Sequence, residues 1–169
     1  MTVTDIDAAI VDVTTGELAI FQLKWQDFGS NDLRKIRSRA SNFVEQVDLW
    51  AESTNAWINE FGIAALLKSL QIKAPSNRAV KLFTFAIGKS NARFKSYGYN
   101  LKQAHVAASN CPQFTRVRYE VGPVAQVLSE MHARTFSEKT RTIDREPIPY
   151  EISIGSNRIL FKDMWSKSD

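Results

Sequence analysis

Three side chains near the start of this 169-residue chain, Asp7, Gln22 and Lys24, are of types that together serve phosphodiester hydrolysis. A carboxylate and an amide oxygen are hard ligands, suited to Mg²⁺ or Mn²⁺, which takes few protein oxygens and completes its shell with water and substrate phosphate. Such an ion generates hydroxide and stabilises the attacked phosphoryl oxygens. An ammonium one pleat away orients the nucleophile or neutralises developing charge. This chemistry needs the three groups to converge, although Asp7 and Gln22 lie fifteen positions apart.

A hairpin would bring them together. Asp5-Ile6-Asp7-Ala8-Ala9-Ile10-Val11-Asp12-Val13 and Glu17-Leu18-Ala19-Ile20-Phe21-Gln22-Leu23-Lys24-Trp25 flank Thr14-Thr15-Gly16, two aliphatic runs around a turn signal. An antiparallel hairpin sets the start of its first strand beside the end of its second. If paired residue numbers sum to roughly 29 to 31, Asp7 falls opposite Gln22 to Lys24. Gln22 and Lys24 share a face because strand side chains alternate. Asp12 competes as the carboxylate, but it sits beside the turn, roughly 15 Å from Lys24 at strand rise, and is rejected as a ligand. Glu17, also at the turn end, cannot substitute for Gln22.

Lysine commonly ends strands by laying its stem along apolar surface, and Asp and Gln are common in loops, so a short Asp…Gln-X-Lys pattern is weak alone. Its weight comes from placement on a hairpin followed by a helix and a buried strand. The pattern Asp7…Gln22-X-Lys24 resembles the catalytic hairpin of the PD-(D/E)XK nuclease superfamily, in the Gln-containing variant of Mrr-type restriction endonucleases. The resemblance implies that Asp7 is the metal carboxylate, that Gln22 stands where most members carry Glu or Asp, and that Lys24 is the catalytic lysine. It implies an α/β fold of the α+β mixed-sheet kind: a restriction endonuclease-like core, a central mixed sheet flanked by helices, with extra C-terminal strands. It also implies a Mg²⁺ or Mn²⁺ cofactor, DNA as substrate, and a homodimer if both strands are cut. The matching order covers about residues 5–90 of a single 1–169 domain, and residues 91–169 read as family-specific additions. Two departures stand out. The helix and strand that normally precede the hairpin are missing. Either the chain is a piece of a larger protein, or a later strand, such as one from the C-terminal hairpin, or a partner chain fills that place. Gln22 is neutral, which weakens metal binding relative to Glu and leaves room for an inactive module that binds nucleic acid or mediates assembly.

The composition, 44% hydrophobic and 24% charged, is ordinary for a globular protein of one domain. Cys111 is the only cysteine, which excludes an intramolecular disulfide framework and a thiolate metal centre. His105 and His132 are too few and too far apart for a zinc site and read as structural or surface residues. No apolar run approaches the ~20 residues of a transmembrane helix, no signal-peptide pattern opens the chain, and a cytoplasmic location is expected. The net charge of +4 is unevenly spread: residues 1–60 carry ten acids and five bases, residues 61–169 eight acids and seventeen bases. Between Glu60 and Glu120 there is no acid, but there are ten bases: Lys68, Lys73, Arg78, Lys81, Lys89, Arg93, Lys95, Lys102, Arg116 and Arg118. A tract of that kind is either a solvated basic surface or a surface for a polyanion, most simply a nucleic-acid backbone. Lys89, Arg93 and Lys95, with Arg34, Lys35, Arg37 and Arg39, are the candidate nucleic-acid contacts.

Along the chain, Ile36, Ala40, Phe43, Val47, Trp50, Thr54, Trp57 and Phe61 recur at spacings of four and three, which predicts one long helix over 33–61 with Gly62 as its stop. A short helical piece is expected over 63–70. Ala79–Ile87 reads as a buried strand. Gly88-Lys89-Ser90 is not a phosphate loop, because Phe83 stands where the Walker pattern needs glycine. Residues 90–99 read as a basic loop or short helix whose Phe94, Tyr97 and Tyr99 suit base stacking or core packing equally. A short helix is expected over 101–108, a half-exposed strand over 114–121, a helix from 124 to about 134, and a second hairpin over 151–161.

Overall fold

The computed structural model describes residues 5–25, 32–73, 78–89, 94, 98–138, 150–154 and 157–161. The chain divides into two compact units, Met1–Lys139 and Thr140–Asp169.

In the first unit the hairpin forms as β1 (Ala8–Asp12) and β2 (Glu17–Lys24). Its turn is fixed locally. Asp12 Oδ1 accepts from the backbone N–H groups of Thr14 (2.8 Å) and Thr15 (3.3 Å), the side-chain-to-backbone turn that Asp favours. Hydrogen bonding holds the Asp12 carboxyl below its ordinary value of 3.8, the Thr15 side chain contributing most and the Thr14 N–H next. Gly16 follows with φ +79°, and a Cβ there would lie 2.8 Å from the Ala79 carbonyl oxygen. Only glycine fits both the positive φ and the close approach of the next strand.

Chain leaving β2 cannot reach a parallel neighbour by a tight turn and needs a long crossover. The crossover is α1 (Leu33–Ser69), capped by Asp32, whose side chain accepts from the Arg34 N–H. The helix carries non-helical backbone at Gly62 (φ 81°, ψ 164°), so two helical pieces meet there, as the expected stop at that glycine implies. β3 (Lys81–Gly88) and β4 (Val106–Asn110) follow, then α2 (Cys111–Val121) and α3 (Val127–Glu138). The sheet order is β1-β2-β3-β4; β1 is antiparallel to β2, while β2, β3 and β4 run parallel. This is an α/β protein with a mixed four-stranded sheet flanked by helices.

Alternation divides the core between the two faces of the sheet. Leu18, Ile20, Ala86, Val106 and Ala108 pack with Ala40, Phe43, Val47, Trp50 and Trp57 of α1. Ala19, Phe21, Phe85, Ile87 and Ala107 pack with Val117 and Val121 of α2 and Leu128 and Met131 of α3. The aromatic stripe of α1 is thus core, with Phe61 at its end 44% exposed. Phe94 is also core, stacked on Phe43 at 5.7 Å between ring centroids, and Tyr99 packs against the same cluster; Tyr97 lies outside the described residues.

Two buried acids tie the layers together across long sequence separations. Glu17, 1% exposed, accepts from the backbone N–H groups of Leu128 (3.1 Å) and Ser129 (3.3 Å), so a carboxylate of β2 meets the positive end of α3. Asp48, at the middle of α1, accepts from the N–H groups of Lys102 and Gln103 and anchors the segment that leads into β4. The ring of His132 lies between those of Phe83 and Phe85 (5.4 and 5.2 Å between centroids). Its Nε2 lies 3.0 Å from the His105 carbonyl oxygen, and His105 Nε2 lies 2.7 Å from Asn55 Nδ2.

Two expected elements change type. Residues 101–108 were expected as a helix, but Val106–Asn110 is β4, an edge strand of the sheet covered on both faces. Four small or β-branched residues are too short a run to separate the two periods. Residues 114–121 were expected as a strand, but they form α2. Asn110 caps it by accepting from the Gln113 N–H, proline stands in its first turn and Gly122 ends it. Phe114, Val117 and Val121 are the inward positions at helical spacing, while Tyr119 is 82% exposed. The predicted helix beyond residue 124 starts at Val127 as α3.

The second unit holds the expected second hairpin, β5 (Tyr150–Ile154) antiparallel to β6 (Asn157–Phe161). These strands pair with each other as a two-stranded sheet, separate from the four-stranded one. Among the described residues, no helix is long and apolar enough to cross a membrane.

Candidate active site

The hairpin register sums to 29, with Ala8 opposite Phe21, and the Asp7 N–H continues the ladder to the Phe21 carbonyl oxygen (3.0 Å). Asp7 thereby falls opposite Gln22. Gln22 Nε2 donates to Asp7 Oδ2 at 2.5 Å, and the Leu23 backbone N–H donates to the same oxygen at 2.6 Å. Only the amide nitrogen can donate to a carboxylate, so this pair orients Gln22 and turns its Oε1 away from Oδ2. Asp7 is exposed, Gln22 is buried (4% exposed) and Lys24 is intermediate. Gln22 and Lys24 lie on the α1 face of the sheet with Leu18 and Ile20, by alternation.

The site stands at the carboxyl ends of the parallel strands. Lys24 pairs with Gly88 and Gly88 with Asn110, the last residues of β2, β3 and β4. In open α/β sheets, ligands bind outside this edge. Asp12 is at the other end of the hairpin, opposite Glu17, roughly 17 Å from Asp7 at strand rise. It is occupied with the turn, as Glu17 is with α3.

The candidate cations divide by position. Lys24 and Lys89 flank the carboxyl edge, the Lys89 N–H donating to the Lys24 carbonyl oxygen at 3.0 Å. Lys89 Nζ stands 4.1 Å from the centre of the Trp25 ring. Arg34, Lys35, Arg37 and Arg39 occupy the opening turns of α1; the first three are exposed and Arg39 is intermediate. Arg93 and Lys95 lie outside the described residues. The acid-free tract does not gather at one place. Lys68, Lys73, Arg78 and Lys81 lie from the end of α1 to the start of β3, at the opposite edge of the sheet. Arg116 is on α2, 3.5 Å from Glu120.

Asp7 supplies one anionic oxygen donor, while Gln22 faces it with Nε2 and keeps its neutral oxygen turned away. Both known donors to Asp7 go to Oδ2, so among the described residues Oδ1 remains without a hydrogen bond. A single open carboxylate oxygen suits only a hard cation that keeps most of its waters and borrows oxygens from a substrate phosphate. No group of three or more His, Cys, Asp or Glu side chains able to hold a metal ion occurs among the described residues.

Sequence reading missed the roles of Glu17 and Asp48, because both depend on partners far away in the chain. It also passed over Trp25, 77% exposed beside Lys24; its position next to the candidate lysine was the available signal. Comparison with protein-family models, with curated proteins and with solved structures found no match.

Proposed function

We propose that this chain is a restriction endonuclease-like domain that hydrolyses phosphodiester bonds of DNA with Mg²⁺ or Mn²⁺, of use in restriction or genome defence. The observation that carries the reading is the Gln22–Asp7 hydrogen bond across the hairpin, with Lys24 two residues on at the carboxyl edge of the sheet. Asp7 would hold the ion through Oδ1, and Gln22 would join it only with its amide turned to present Oε1 in place of Nε2; the ion supplies an activated water and charge stabilisation when bound. Asp7 brings the negative charge. Gln22 and the Leu23 N–H fix the carboxylate by binding Oδ2 and leave Oδ1 for the cation. Lys24, with no ion pair among the described residues, places an ammonium where charge develops on the attacked phosphate. Lys89 and the basic opening turns of α1 would position the DNA backbone.

A second reading, a nuclease-fold module that binds nucleic acid or mediates assembly without cutting it, is favoured by the neutrality of Gln22 and the single carboxylate. Metal binding separates the two. Titration with Mn²⁺ should show one site in the wild type that Asp7→Ala abolishes, with the fold intact by circular dichroism. No Mn²⁺ uptake by the wild type would favour the non-catalytic module.

A further inference from the structure

We infer that Trp25 is a stacking platform for an unpaired nucleobase beside the phosphate that Lys24 serves, so that the preferred substrate is single-stranded or locally unpaired DNA. The inference rests on the nuclease reading and narrows its substrate class. A single exposed apolar residue is ordinary on a protein surface; three observations lift Trp25 above that. It immediately follows Lys24, so the two Cα atoms are about 3.8 Å apart and Trp25 stands at the same carboxyl edge of the sheet, its ring leaving on the Leu23 side rather than the Lys24 side by alternation, within one nucleotide's reach of a phosphate there. Its ring is held: the ladder that continues from Lys24–Gly88 to the Lys89 N–H sets Lys89 beside Trp25, with Nζ over the ring at 4.1 Å. The indole is nevertheless 77% exposed, so it remains open to a flat partner. Leu23, two residues before it, is 50% exposed and extends the apolar shelf.

The other aromatic candidates are placed elsewhere. Phe94 is 2% exposed within the core. Tyr119 is exposed but sits on α2 roughly 12 Å along the axis from the end that adjoins β4. An indole next to a bound phosphate, with a cation against it, matches the combination that recognises single strands: a charged track for the backbone and a ring for the base. A base inside an intact duplex has both faces covered by its neighbours and reaches such a ring only after costly unstacking. Trp25 would therefore distinguish unpaired from paired DNA without reading sequence.

The test is fluorescence anisotropy with labelled 20-mers, one single-stranded and one fully duplex, in EDTA at several salt concentrations. The proteins are wild type, Trp25→Ala and Trp25→Phe. Wild type is expected to prefer the single strand. Trp25→Ala should lose roughly tenfold on it and little on the duplex, with the salt slope unchanged because no phosphate contact is lost. Trp25→Phe should retain most of the affinity. Equal single-strand binding by wild type and Trp25→Ala would overturn the inference while leaving the nuclease reading standing, as would an equal loss on both DNAs. Failure of the wild type to bind either DNA at low salt would overturn both.

Discussion

At the residue scale, the decisive feature is that Gln22 donates to Asp7 rather than merely lying near it. The amide holds the carboxylate in place, and its neutrality lets the pair exist without a cation. A second carboxylate at position 22 would face Asp7 as a like charge, which is unfavourable until a cation sits between them. Gln22→Glu should therefore lower the melting temperature in EDTA and restore it with Mn²⁺, giving a larger metal-induced rise than wild type. An equal rise in both proteins would show that position 22 does not face the ion. Asp12 serves the turn instead. Its folded-state value lies below its ordinary one, so its contribution to stability is present above about pH 3.8 and lost as pH falls through the lower, folded value. The stability gap between wild type and Asp12→Ala, followed by urea unfolding, should be open at pH 6 and close progressively as pH falls below about 3.8. A gap unchanged down to pH 2 would contradict the role of the ionised carboxylate.

At the element scale, β2 carries both candidate chemistry and architecture. Its even residues lead to Gln22 and Lys24, while Glu17 reaches across the other face to the start of α3. Glu17→Ala would leave two backbone N–H groups at that helix end without their acceptor, at a cost of about 1–3 kcal/mol, measurable as a lower urea midpoint. An unchanged midpoint would mean that water replaces the carboxylate freely. The hairpin, the α1 stripe, the break at Gly62 and β3 were legible in the sequence, because each is specified locally by turn residues or by a long periodic pattern. The segment from Leu101 to Val121 was not. Val106-Ala107-Ala108-Ser109 is stabilised as a strand by helices on both sides and by the Asp48 anchor, neither of which is local. For α2, the decisive signals were the cap Asn110, Pro112 and Gly122, which the alternation of Val117, Tyr119 and Val121 obscured. The site geometry was legible for the same reason as the hairpin: one register fixes both.

At the scale of the whole molecule, a two-sided sheet places one hairpin end, the opening of α1 and the ends of three parallel strands at a common edge. The basic tract that looked like a single surface in the sequence is divided by the fold. Lys89 of the tract stands at that edge beside Lys24, while Lys68, Lys73, Arg78 and Lys81 lie from the end of α1 to the start of β3. The basic residues at that edge are thus brought together by topology rather than by a run of residues. The most direct measurement is cleavage of supercoiled plasmid by wild type and Lys24→Ala, side by side, with Mn²⁺ and with EDTA. A nuclease site at the hairpin predicts nicking by the wild type with Mn²⁺ only, reduced by at least about 100-fold in Lys24→Ala, in line with the loss of one stabilising group. Absence of nicking by the wild type, or equal nicking by both proteins, would contradict it.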